Sequence, residues 1–235
     1  MKYPLAVHYV ASSLWAIDEG KLAELVSVLA FRAAGGTFTP EEIKARIGDG
    51  NSPQAASRSQ GGAVAVIPIR GVIAHRMSGM EDSSGGTSAE GIGRMLRAAM
   101  ADASVSTILL DVDSPGGTVT GVSELAEELF EMRGKGKKIV AQVNGLAASA
   151  AYWLASQADE IVSLPSGLAG SIGVFTVHQN LAAALEKEGV DVTVISAGKY
   201  KVEGNPFEPL SDEAKAVKQA QVDEAYGQFV KDVAR

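Results

Sequence analysis

From residue 63 onward the chain alternates short, continuous apolar runs with helical patterns, and this alternation restricts the possible folds more than any other feature. AVAVIPIRGVI (63–73), STILLDVD (106–113), KKIVAQVNG (137–145), DEIVSLP (159–165) and DVTVISAG (191–198) read as strands. Helical periods run between and after them over 89–101, 121–133, 146–158, 178–189 and 211–234, the last behind a serine-aspartate cap. Strands separated by helices at this spacing predict an α/β fold with a mainly parallel sheet and right-handed crossovers. Because the strands are apolar throughout, both sheet faces are expected to be covered.

The first sixty residues differ in style. GKLAELVSVLAFRAA (20–34) has a helical period that Gly35-Gly36 stops, and Thr39-Pro40-Glu41-Glu42 predicts the start of a second, short helix. GDGNSPQAASRSQGG (48–62) has almost nothing to bury and reads as a linker. The expected organisation is a helical N-terminal segment (1–47), a linker (48–62) and a main domain (63–235), with SGMEDSSGGTS (78–88) as a mobile loop. With 46% hydrophobic residues the chain can bury one substantial core.

Composition excludes several classes of function. The formal net charge is −7 with no basic tract, so nucleic acid is not an expected partner. There is no cysteine, which rules out disulfides and thiolate metal sites. In MKYPLAVHYVASSLWAI, His8, Ser12 and Ser13 interrupt the apolar run and Asp18-Glu19 closes it, which is not the pattern of a secretory signal. No window has the roughly 18–20 apolar residues of a membrane span, so the sequence reads as a cytoplasmic protein without an anchor.

Ligands of open α/β sheets gather where strands end, and two strand ends stand out. Asp113-Ser114-Pro115-Gly116-Gly117 is either an ordinary strand-to-helix turn or one that aims backbone N–H groups at an anion. It lacks the spacing of a nucleotide-binding loop. After Asn144-Gly145, Ser149 falls near the first turn of the next helix, among Ala147, Ala148, Ala150 and Ala151. A serine there fits close helix packing. It also fits a nucleophile whose developing oxyanion meets the Ala150 N–H.

A serine nucleophile needs a base. The histidines are His8, His75 and His178, of which His178 follows an apolar run. A lysine serves only if desolvation lowers its pKa from about 10.4. GKYKVEGNPF (198–207) places Lys199 and Lys201 after an expected strand, among Tyr200, Val202, Pro206 and Phe207.

Taken in order, DVDSPGG, NGLAASAAYWLASQADEIV, GSIGV and GKYKVEGNPFEPLSDEA resemble the signal peptide peptidase A family of serine peptidases. The resemblance is to its bacteriophage prohead (capsid maturation) protease branch, whose N-terminal pattern LWAIDEGKLAEL also resembles. It covers 63–235 well and 1–47 loosely. It implies a ClpP/crotonase-like spiral of ββα units and a Ser/Lys dyad without cofactor or metal. Ser149 would be the nucleophile and Lys201 the general base, with Lys199 the lesser candidate. The N–H groups of Gly117 and Ala150 would form the oxyanion hole, and Ser171 would position the lysine. The implied substrates are scaffold or capsid proteins, cut by a homo-oligomer in the host cytoplasm or prohead. The alternatives are a leader-peptide peptidase and a non-catalytic capsid-assembly protein of the same fold. Ala150 departs from the glycine common after the serine in the family, which implies a narrower groove. YGQFVKDVAR reads as a helix continuing past Arg235, as expected of a truncated or processed chain.

Overall fold

The computed structural model describes residues 13–33, 36–39, 42, 58–59, 62–76 and 86–235. The expected linker and the expected loop at 78–88 lie largely outside these residues. The elements in chain order are β1 (Trp15–Ile17), α1 (Glu19–Ala33), β2 (Arg58–Ser59), β3 (Gly62–Arg70), β4 (Ile73–Ala74), β5 (Thr87–Ser88) and α2 (Ala89–Ala101). They continue with β6 (Val105–Ser114), β7 (Gly116–Thr118), α3 (Val122–Met132), β8 (Lys138–Ala148) and α4 (Ala150–Ala155). The last are β9 (Glu160–Ser163), β10 (Leu168–Gly170), α5 (Ala182–Lys187) and α6 (Asp212–Val233).

The larger sheet has the order β10-β8-β6-β3-β2, with β9 also pairing β8; all its pairings are parallel except that of β2. The smaller sheet has the order β1-β7-β4-β5, with β1 antiparallel to β7. Two ββα units are explicit. In β3–β4–α2 and β6–β7–α3, a long strand in the large sheet hands over to a short strand in the small one and then to a helix. The α/β class with mainly parallel strands is the one expected.

Alternate residues of the central strands make the core. Ile67 and Ile69, then Ile108, Leu110 and Val112, then Ile139, Ala141 and Val143 are buried beneath Ile92 and Leu96 of α2, Leu125 and Leu129 of α3, and Trp153 of α4. The opposite face carries Val64, Val66, Leu109 and Val140, all only half-buried. Coverage of both faces is therefore not observed among the described residues. β-branched residues suit a strand on either face, so a continuous apolar run does not report two covered faces.

Helix starts follow their caps. Ser88 Oγ accepts from Gly91 N at 3.1 Å, and Ser211 Oγ from Ala214 N at 3.0 Å. Glu42 N donates to Thr39 Oγ1 at 3.2 Å while Thr39 N donates to Glu42 Oε2 at 2.8 Å, the reciprocal capping that the expected second helix calls for. Three expectations need correction. Leu146–Ala148 extends β8, because it pairs in parallel with β10, and α4 is correspondingly short. The helix expected over 178–189 is confined to Ala182–Lys187. Residues 191–196 form no strand; they are exposed and have no partner strand among the described residues. No described helix is long and apolar enough to cross a membrane.

Candidate active site

β8 ends at Ala148 and α4 begins at Ala150, so the whole change of direction falls on Ser149, just ahead of the helix and not inside its first turn. Its backbone has φ 55 and ψ −119, a region that L residues avoid; such strain costs on the order of 1–3 kcal/mol and persists only where the surroundings enforce it. Here Ser149 N donates to Gly170 O at 2.7 Å, and Trp153 N donates to Ser149 O at 2.9 Å. Ala147, Ala148, Ala150 and Ala151 are all buried, so only small side chains fit around the turn. A sharp strand–serine–helix turn is how some hydrolases present a nucleophilic hydroxyl at a sheet edge.

The Ser114-Pro115-Gly116-Gly117 loop is fastened beside this turn. Ser114 Oγ donates to Gly71 O at 2.6 Å and accepts from Gly116 N at 3.2 Å. Both glycines are required by close approach. A Cβ on Gly117 would lie 1.8 Å from Ile73 O. One on Gly116, where φ is +97, would lie 2.3 Å from Ala16 O, 2.9 Å from Ala148 O and 3.0 Å from Ala150 N. Gly116 and the Ala150 N–H thus meet next to Ser149, while Gly117 is pressed against Ile73.

A polar network behind these loops went unread in the sequence. Asp111, buried in β6, accepts hydrogen bonds from Arg70 at the end of β3 and from Asn144 near the end of β8. The register Pro68↔Asp111↔Gln142 puts Arg70 and Asn144 two residues further on, on the same face as Asp111. The available signal was one polar residue at corresponding positions of three adjacent parallel strands.

No bond between Ser149 and a basic side chain is present among the described residues. Ser149 is 1% exposed, and its Oγ has one hydrogen-bond partner among the described residues, Gly173 O at 3.5 Å. Lys201 is exposed in a turn whose backbone N–H donates to Gly198 O at 3.2 Å. The apolar surroundings expected around it do not form among the described residues. Lys199 Nζ lies over the Tyr200 ring, 4.7 Å from its centroid. Ser171 is exposed with φ 57 and makes no described hydrogen bond to a lysine. Of the histidines, His178 Nε2 is held by Asn205 O at 3.0 Å, and His75 Nδ1 is buried without a partner among the described residues. His8 lies outside the described residues.

Residues 131–235 match the sequence model of Peptidase family S49. The head-tail preconnector protein GP5 of Enterobacteria phage P21 is 40% identical over 171 residues, 73% of this chain and 34% of that protein. Capsid assembly protease C of Escherichia phage lambda is 35% identical over 212 residues, 88% of this chain and 48% of its own. Protease 4 of Haemophilus influenzae is 30% identical over 172 residues, 73% of this chain and 27% of its own. The chain therefore spans about a quarter to a half of the length of these relatives. A solved enoyl-CoA hydratase from Polaromonas sp. JS666 aligns with 48% of this chain and 49% of its own at a TM-score of 0.35 and 15% identity, too loose a likeness to bear on chemistry. The family match runs from the last two residues of α3 through α6, with relatives aligned over most of the chain, and this segment belongs to peptidase family S49.

Proposed function

We propose that the chain is a serine endopeptidase acting by acyl transfer, with Ser149 as nucleophile, Lys201 as general base, and the N–H groups of Gly117 and Ala150 as oxyanion donors. The observation that carries this reading is the strained backbone of Ser149, held between β8 and α4 with the glycine loop against it. Neutral Lys201 would take the Ser149 proton as Oγ attacks a peptide carbonyl, then pass it to the leaving amine; water would release the acyl group by the same route. Each oxyanion donor is worth about 10²–10³ in rate. The names of the phage relatives favour capsid-assembly proteins as substrates, with cleavage where capsid precursors assemble.

The base step requires Lys201 to leave water. Ile195, Tyr200 and Phe207, around the lysine turn, are exposed along with Leu168 and Ile172. Exposed apolar patches mark contact sites, and burial of these side chains in a homo-oligomer would supply the desolvation that a basic lysine needs. The exposure of Lys201, with no bond to Ser149 among the described residues, also favours a second reading, a non-catalytic assembly protein of the same fold. Cleavage of a fluorogenic peptide library and of capsid precursor proteins separates the two. Activity lost in Ser149→Ala and Lys201→Ala but retained in Lys199→Ala supports the dyad. Absence of activity in the oligomeric wild-type protein supports the assembly role.

A further inference from the structure

The short strand β1 occupies an unusual place. Trp15, Ala16 and Ile17 are 2%, 0% and 3% exposed, and they are hydrogen-bonded along both edges. On one edge β1 runs antiparallel to β7, with Ala16 opposite Gly117 and Ile17 opposite Gly116. On the other, Trp15 N donates to Phe175 O at 2.8 Å and Phe175 N to Trp15 O at 2.9 Å. An extended peptide held this way is how proteins capture a peptide as an added strand.

The register places one carbonyl at the reactive point. Val119 N donates to Leu14 O at 3.1 Å and Asp18 N to Pro115 O at 2.9 Å. Alternation along an antiparallel ladder makes Ala16 and Gly117 the bonded pair between them, with the Gly117 N–H directed at Ala16 O. That oxygen lies 2.3 Å from the Cβ position of Gly116, and Ala150 N lies 3.0 Å from the same position. Gly173, two residues before Phe175, accepts from Ser149 Oγ through its carbonyl. Ala16 O thus approaches the same point beside Gly116 as the N–H of the residue that follows Ser149. Trp15 and Ile17 belong to a small cluster with Leu22 of α1, apart from the main core, and α1 borders a pocket of about 360 Å³ lined by Leu22, Ala23, Val26 and Phe175. Ala16 itself packs in the main core, so displacing β1 would uncover that one small side chain there along with the Trp15–Ile17–Leu22 cluster.

We infer that the slot between β7 and residues 173–176 is a peptide-binding groove, and that residues 15–17 fill it as a built-in pseudosubstrate that must be displaced before another peptide binds. The inference rests on the reading of Ser149 as nucleophile for its purpose, though not for its test. The groove takes an extended peptide with a small residue where Ala16 stands, because that residue is fully buried and pairs with Gly117 across the ladder.

The test uses the full chain carrying Ser149→Ala, so that nothing is cut, with and without Ala16→Pro, which removes the N–H that Ala16 offers to β7. The probe is a fluorescein-labelled peptide, SSLWAIDE, followed by anisotropy. The Ala16→Pro protein is expected to bind it at least tenfold more tightly than its parent, and a peptide with tryptophan in place of the alanine is expected to lose binding. Equal binding by both proteins, or none by either, with circular dichroism unchanged, overturns the inference. Trp15→Ala serves as the second displacing variant if Ala16→Pro does not fold. On the Ser149-containing chain, Ala16→Pro should also speed fluorophosphonate labelling about tenfold. Peptide binding without any labelling contradicts the nucleophile and leaves the groove standing; labelling that no β1 substitution alters contradicts the groove and leaves the nucleophile standing.

Discussion

The indole Nε1 of Trp153 donates to Oδ2 of Asp232 at 2.9 Å, and both side chains are buried. This bond ties α6 to α4, the helix that starts at the residue after Ser149. Around it the Trp153 and Phe229 rings stack with centroids 4.4 Å apart, and Gln157 Nε2 donates to Asp232 O at 3.0 Å. Asp232→Ala leaves the indole N–H buried and unpaired, an expected loss of about 1–3 kcal/mol. Phe229→Ala is expected to cost about 3–5 kcal/mol. Urea unfolding measures both. The rate of Ser149 labelling should fall in each variant, since the helix that fixes the serine turn loosens.

Relief of strain at Ser149 should raise stability while it removes function. Ser149→Gly releases on the order of 1–3 kcal/mol of backbone strain against an entropic cost of roughly 0.5–1 kcal/mol. Ser149→Ala keeps the strain. The glycine variant is therefore expected to melt above the alanine variant, with neither labelled by a fluorophosphonate. An alanine variant as stable as the glycine variant would mean that the turn is relaxed.

Asp111 is the shared acceptor for Arg70 and Asn144. Asp111→Ala is expected to destabilise by about 1–3 kcal/mol through the orphaned donors; the Arg70 side chain is 45% exposed and recovers part of its loss in water. Because the network joins the ends of β3, β6 and β8, labelling of Ser149 should slow by more than the Arg70→Ala variant alone produces.

Thr118 Oγ1 is buried in β7 without a partner among the described residues. Thr118→Val substitutes a methyl group for an unpaired hydroxyl of similar shape. The expected result is a gain of about 1 kcal/mol, seen as a higher Tm.

The parts legible in the sequence are those whose signal is local. β3 and β6 lie within a residue or two of their apolar runs and β8 starts where expected, while α2, α3 and α6 follow their periods and, for α6, its serine cap. β1 was not legible: three residues show no period, and the partner strand is about a hundred residues away in sequence. Leu146–Ala148 looked helical because alanine favours a helix, yet pairing with β10 overrode that preference. The strain at Ser149 leaves no trace in residue type beyond its small neighbours. Lys201 was placed by neighbours in sequence, and apolar neighbours do not bury a turn that nothing else among the described residues covers.

Ser149 as nucleophile is tested most directly by reacting the intact protein with a fluorophosphonate and mapping the adduct by peptide mass spectrometry. A single adduct on Ser149, absent from Ser149→Ala, is the expected result. An adduct on another serine, or none on a folded and assembled protein, would contradict it.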